Sequence, residues 1–366
     1  MVSTTLCRTG DVCAVRKGTT ITEKEATFGE VPVVAGGMKP SYFHDESNRL
    51  PGVVTISASG ANAGFVSYWD CPIWASDCTT VEPINPTSVS SRYVFHYLKS
   101  IEATVISSFR RGAAQPHVYA RDLQEIMIPL PPIEEQRRIA SILDAADALC
   151  TKRRQALVKL DTLTQAIFID MFGDPVSNSN GWPKLPLSEL GRVVTGKTPP
   201  SAKSGMFSDE VPFVTPGDLE SGDPSVRWLS KEGASHSRVV PAGSTLVCCI
   251  GATIGKVGQA ITECAFNQQI NAVDWDRSVI LPAYGTKVMK SFRQEIARLG
   301  ASTTLPLLKK TSFEKVEIPV PPMKFQVEFQ FLSEALAQCW TRLTVQSAVF
   351  EKLFATLQHR AFRGEL

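Results

Sequence analysis

The feature that most constrains this chain is that it repeats itself. LCRTGDVCAVRKGTT (6–20) lies beside LPLSELGRVVTGKTP (185–199), so that Val15, Gly18 and Thr20 match Val193, Gly196 and Thr198. VVTISASGANAGFV (53–66) resembles TLVCCIGATIGKV (245–257), with Gly60 and Gly64 on Gly251 and Gly255. EIMIPLPPIEEQ (125–136) matches KVEIPVPPMKFQ (315–326) without a gap, and LTQAIF (163–168) matches LQHRAF (357–362). Four blocks recur in the same order at a spacing of roughly 180 to 195 residues, too long for a solenoid and right for two copies of a domain with an appendage.

Each copy reads as a globule followed by a rod. The globules carry short β-type runs such as VPVVAG, GVVTISASG and STLVCCIG, punctuated by Gly, Pro and Asn, which predicts an irregular mixed α/β fold (α+β) rich in strands. The rods start after Pro131-Pro132 and Pro321-Pro322. Glu134 and Glu135 put negative charge in the first turn, where the helix dipole favours it. Apolar residues then fall at alternating three and four spacing through Ile139, Ile142, Ala146, Leu149, Ala156, Leu160, Leu163, Ile167 and Met171, interrupted at Arg153. The second rod gives Phe329, Leu332, Leu336, Cys339, Leu343, Phe350, Leu353 and Leu357, interrupted at Gln346.

Two matching seams predict that the helices pair with each other as an antiparallel coiled coil, with the globules related by a pseudo-twofold axis. The expected boundaries are 1–130 for the first globule, 131–177 for the central helix, 178–320 for the second globule and 321–366 for the last helix. A helix of about 40 residues is roughly 60 Å long. One turn of duplex DNA is ~34 Å, so such a rod has the dimensions of a DNA ruler.

Composition narrows the chemistry. The nine cysteines lack C-x-x-C spacing and the five histidines are scattered, so no zinc site is expected. The apolar runs are too short to span a bilayer, and Met1 to Gly10 lack a secretory core, so a cytoplasmic protein without membrane partners is expected. A net charge of +2 neither requires nor excludes nucleic acid, because binding follows where charge clusters. GRVVTGKT (191–198) matches the phosphate-loop pattern G-x-x-x-x-G-K-T. Pro199-Pro200 follows at once, however, where that loop needs a helix, and only Gly196 belongs to the duplicated frame. A P-loop nucleotide hydrolase is therefore the weakest reading, behind a coiled-coil scaffold for partners other than DNA.

IPLPPIEEQRRIASILDAAD, its second copy IPVPPMKFQ, GANAGFVSYWDCPIWASDC and the ending LQHRAFRGEL resemble the specificity subunits of Type I restriction-modification systems over essentially the whole chain. The resemblance implies a non-catalytic subunit whose two globules are target recognition domains, each reading half of a split duplex DNA sequence. It implies that the paired helices fix the unread gap and dock two modification (methyltransferase) subunits, with restriction subunits joining the complex in systems that cleave. S-adenosylmethionine, and ATP and Mg for restriction, would be bound by those partners and by no site in this chain. The second rod departs from the pattern, having Lys324-Phe325-Gln326-Val327 without the E-E-Q-R-R-I continuation.

Base reading needs polar side chains at groove edges, and phosphate contact needs Lys, Arg and backbone N–H groups. The candidates are Asn62, Arg110, Arg111 and Gln115 in the first globule, and Lys197, Thr198, Thr253, Lys256, Lys309 and Lys310 in the second. The globules diverge outside the shared blocks, with an insertion at SGDPSVRWLSKEGASHSRVV in the second, so an asymmetric bipartite target is expected. No methyltransferase tetrad, nuclease cluster or helicase motif accompanies them.

Overall fold

Both helices anticipated after the Pro-Pro pairs form, over Ile133–Phe172 and Met323–Ala361. The computed structural model describes residues 4–112, 115–200, 203–220, 227–301 and 306–366. The chain divides into two units, Met1–Gln155 with Thr344–Leu366 and Ala156–Leu343, so each unit holds one end of each helix.

The strands of the first unit are β1 (Thr5–Arg8), β2 (Cys13–Lys17), β3 (Val31–Val34), β4 (Tyr42–His44), β5 (Val53–Ser57), β6 (Val66–Trp69), β7 (Trp74–Ala75), β8 (Cys78–Pro83) and β9 (Met127–Leu130). An antiparallel sheet runs in the order β2-β8-β5-β6, a smaller one in the order β4-β3-β7, and β1 pairs with β9. β5, VVTIS, is buried along its whole length, which accounts for its run of β-branched residues. Against this sheet packs the helix Ser91–Ser100, which buries Tyr93, Val94 and Leu98. Its run of aromatic and β-branched residues hides a helix among β-type segments in the sequence.

The second unit repeats this plan. Its strands are β10 (Lys184–Pro186), β11 (Gly191–Thr195), β12 (Phe207–Val214), β13 (Arg227–Leu229), β14 (Val239–Val240), β15 (Thr245–Cys248), β16 (Val257–Gln259), β17 (Cys264–Phe266), β18 (Ile270–Trp275) and β19 (Glu317–Pro319). The four-stranded sheet is β11-β18-β15-β16, the second sheet is β13-β12-β17-β14, and β10 pairs with β19. The parallel pair β12–β17 has its counterpart in β3–β7. The helix Pro282–Ser291 takes the place of Ser91–Ser100, with Tyr284 where the first copy has Tyr93. Of the second-copy insertion, residues 221–226 lie outside the described residues, while the rest supplies β13, the helix Lys231–Ser235 and β14.

The repeated P-P-x-x-x-Q segment has a physical reason. Gln136 and Gln326 are 1% and 0% exposed, at the first turn of each long helix. The Gln136 Oε1 accepts from the Ser90 N–H at 2.9 Å, and its Nε2 donates to the Pro131 and Ser88 carbonyls at 2.8 and 3.0 Å. Gln326 does the same with the Leu281 N–H and the Pro321 and Val279 carbonyls, at 2.8, 2.9 and 2.9 Å. One amide thus satisfies three backbone groups and ties helix, Pro-Pro entry and globule together. Tyr93 and Tyr284 add a second tie by donating to the Pro129 and Pro319 carbonyls.

Within each unit the helix ends run antiparallel. In the first, Ile139, Ala140 and Leu143 share a core with Ala361, and Phe362 packs edge-on against Tyr93 and Tyr97. In the second, Phe168 and Phe172 pack with Phe329 and Tyr284 at ring distances of 4.7 to 5.8 Å. Ile142, Leu160, Leu332, Leu336, Leu343 and Leu357 are half-buried, as seam residues should be.

Four positions depart from the expected seam: Leu149, Leu163 and Leu353 are 48%, 47% and 49% exposed, and Cys339 is exposed as well. Cys150 is buried instead of Leu149, Phe168 and Phe172 are fully buried with Ile167 and Met171 packed half-buried against the same core, and Phe354 packs where Leu353 was expected. An α-helix drifts about 20° per heptad from a 3.5-residue repeat, and the inward faces here follow the globule cores near each end. The two interruptions read in the sequence meet each other: Arg153 Nη1 donates to Gln346 Oε1 at 2.7 Å, with the guanidinium 4.2 Å from the Phe350 ring centre.

Candidate nucleic-acid interface

The loops that carry most candidate residues gather at one end of each four-stranded sheet. In the first unit this end holds the exit from β2, the entry to β8 and the β5–β6 turn; in the second it holds the corresponding parts of β11, β18 and β15–β16. Their backbones are bonded alike. The Gly64 N–H donates to the Ser57 carbonyl and the Gly255 N–H to the Cys248 carbonyl, both at 2.8 Å. The Gly60 N–H reaches the Pro116 carbonyl at 3.0 Å, and the Gly251 N–H reaches that of Pro306 at 2.9 Å. All four glycines have φ between +79° and +91°, the left-handed region that explains why both copies keep glycine there. Gly18 and Gly196 serve differently: a Cβ would stand 2.2 and 2.1 Å from the carbonyl oxygens of Ser76 and Asn267.

In the first unit the structure brings the four candidates together. Asn62 is half-buried at the crest of the β5–β6 turn, and its carbonyl accepts from the Phe65 N–H at 2.9 Å. Arg110 Nε donates to the Ala63 carbonyl of that turn at 2.6 Å, leaving the exposed end of its guanidinium at the surface. Arg111 pairs backbone to backbone with His117 and ion-pairs with Asp122 at 2.9 Å, which offsets part of its charge. Gln115 is exposed beside Pro116.

In the second unit, Lys197 and Thr198 leave β11 at the same sheet end. Lys197 is exposed, its N–H is held by the Phe266 carbonyl at 2.9 Å, and Thr198 Oγ1 donates to Gln268 Oε1 at 2.6 Å. Gly191 to Thr195 form a strand and residues 196–200 and 203–206 contain no helix, so GRVVTGKT lacks the helix N-terminus a phosphate loop uses. Thr253 stands where the first unit has Asn62, with its hydroxyl 3.4 Å from Cys248 Sγ. Lys256 is drawn inward toward Glu220, 4.0 Å away, and Arg293 pairs with the same carboxylate at 2.8 Å. Lys309 is exposed just beyond Leu308, whose N–H bonds the Cys249 carbonyl; Lys310 pairs with Glu314 at 3.3 Å.

Burial pushes the Cys78 and Cys249 thiols at the sheet ends up to about 12, so both stay protonated at neutral pH. Among the described residues no group of three or more His, Cys, Asp and Glu side chains could hold a metal ion, and no helix is long and apolar enough to cross a membrane. Two further polar side chains stand at the sheet ends: Asp77 just before β8, and Gln269 just before β18.

Comparison with known proteins places this geometry. The family model described as the Type I restriction modification DNA specificity domain matches residues 3–160 and again residues 179–337. The chain is 31% identical over 195 residues to the Type I restriction enzyme HindI specificity subunit of Haemophilus influenzae, a stretch covering 51% of this chain and 42% of that protein. It is 22% identical over 303 residues to the MjaIX specificity subunit of Methanocaldococcus jannaschii, covering 76% and 69% of the two. In fold it is similar to the crystal structure of the S subunit from M. genitalium, with a TM-score of 0.72 at 16% identity over 99% of this chain and 96% of that one. A chain from a structure of type I R-M complex assembly matches with a TM-score of 0.57 at 19% identity, each chain covered completely. With its duplicated globule, its paired helices and two family matches that together cover most of its length, the chain belongs to the Type I restriction-modification specificity subunit family.

Proposed function

We propose that this chain is the sequence-reading, non-catalytic subunit of a DNA-methylating complex, and that its two sheet ends read the two halves of an asymmetric bipartite target. The globules 1–130 and 178–320 are the reading domains, and the paired helices dock two methyltransferase subunits, with restriction subunits joining where the system cleaves. The partners, in the cytoplasm, would hold S-adenosylmethionine, and ATP and Mg where restriction occurs. One observation carries this reading: the same backbone hydrogen bonds recur at both sheet ends while the side chains on them differ, Asn62 against Thr253 and Phe65 against Lys256. A frame kept constant under changing side chains suits two readers of two sequences, because phosphate contacts position while base contacts specify.

The test is to co-express the chain with its methyltransferase and select bound duplexes from a randomised pool. Two separated half-sites with a fixed gap are expected, together with a linear fall of log affinity against log salt. Indifference to gap length, or binding without a salt slope, would sink the reading and favour a scaffold for other partners.

A further inference from the structure

Asp77 and Gln269 occupy one place in the duplicated frame. The Ala58 N–H donates to the Asp77 carbonyl at 3.2 Å, and the Cys249 N–H to the Gln269 carbonyl at 2.8 Å. The next residues, Cys78 and Ile270, pair in register with Ser57 and Cys248. Both side chains are half-buried at the sheet end, beside the β5–β6 or β15–β16 turn. Their chemistry is opposite. Asp77 offers acceptors alone; Oδ2 takes a hydrogen bond from Ser59 Oγ, which fixes the carboxylate, and Oδ1 has no hydrogen-bond partner among the described residues. Gln269 has its Oε1 engaged by Asn267 Nδ2 at 3.1 Å, while its Nε2 lies 3.6 Å from the position a Cβ on Gly251 would take. At equivalent points one unit therefore presents an acceptor and the other a donor.

A carboxylate at a surface that meets DNA is repelled by phosphate, and the base edges it suits are those that offer a donor. In the major groove those donors are the amino groups of cytosine and adenine. A donor amide suits the acceptors, N7 and O6 of guanine, N7 of adenine or O4 of thymine. We propose that Asp77 and Gln269 are specificity-determining residues of opposite polarity, Asp77 selecting a base with an exposed amino group in one half-site and Gln269 selecting an acceptor-bearing base in the other. The inference rests on the reading of the sheet ends as base readers.

The experiment is selection from the randomised duplex pool by the intact complex, comparing the native chain with Asp77→Asn and Gln269→Glu, each nearly isosteric. Asp77→Asn is expected to change the preferred base at one position of one half-site by about tenfold, with the other half-site unaltered. Gln269→Glu is expected to do the converse, moving its position toward an amino-bearing base. A uniform rise in affinity for every duplex with Asp77→Asn would show only a relieved repulsion and would overturn the inference, as would unaltered preferences in both variants. A native complex that selects no sequence at all overturns the underlying reading as well, so the two failures are distinguishable.

Discussion

At the scale of single residues, the buried amides and the close-packed glycines are the most exposed to test. Replacing Gln326 with Leu strands the Leu281 N–H and the Val279 and Pro321 carbonyls in the interior. At about 1–3 kcal/mol for a buried group left unpaired, and with some relief by water, a loss of about 2–4 kcal/mol is expected. Urea unfolding should show this as a lowered midpoint at constant slope. The glycines separate two causes. Gly60→Ala meets open space and faces only the cost of φ +79°, about 1–2 kcal/mol, whereas Gly196→Ala drives a methyl to within 2.1 Å of a backbone oxygen. Thermal unfolding should find the second variant clearly the worse. His96 offers a pH signature, being buried with Nε2 2.8 Å from Asp144. Burial, opposed by that carboxylate, holds it below its ordinary value of 6.5. The unfolded chain then takes up the proton first, so stability drops as pH falls below 6.5. His96→Gln should flatten that stretch of the stability–pH curve.

At the scale of elements, the paired helices show what a sequence discloses and what it withholds. Their existence and starts were legible, because Pro-Pro entries and apolar spacing agree in both and the first adds an acidic first turn; their ends, at Phe172 and Ala361, fall short of the expected 177 and 366. Which residue of each pair turned inward was not: Leu149 and Cys150 are both apolar, and the choice depends on helix twist and on the globule each end meets. The helix Ser91–Ser100 was illegible for the opposite reason, since its aromatics favour strands and only packing on the sheet decides the matter. The candidate site was half legible. Arg110 and Lys197 are legible as cations in the sequence, but the carboxylate of Asp77 is placed at the same sheet end only by strand register. The contact of Arg153 with Gln346 predicts coupling, since each interrupts one seam and they meet. A double-mutant cycle with Leu at both positions should give an interaction energy of about 0.5–1 kcal/mol, with the double variant at least as stable as either single one.

At the scale of the whole molecule, the unit that begins the chain is finished by residues near its end. Phe354, Leu357, Ala361, Phe362 and Leu366 all pack into the first core. Removing 344–366 should therefore expose amides of β5, β8 and the helix Ser91–Ser100 to hydrogen exchange while those of the second unit stay protected, and should abolish assembly with the methyltransferase. Equal loss of protection in both units would contradict the division described.

That discontinuity also sets an order of events during synthesis. Nascent domains generally fold as they emerge, the first-made first. Here the first-made globule must wait, with the apolar faces of Tyr93, Ile139 and Leu143 uncovered, while the ribosome completes the second unit and then residues 344–366. A late stall or a nonsense codon just beyond Leu343 would release a chain whose second unit is whole and whose first is adhesive, a natural substrate for chaperones and proteases.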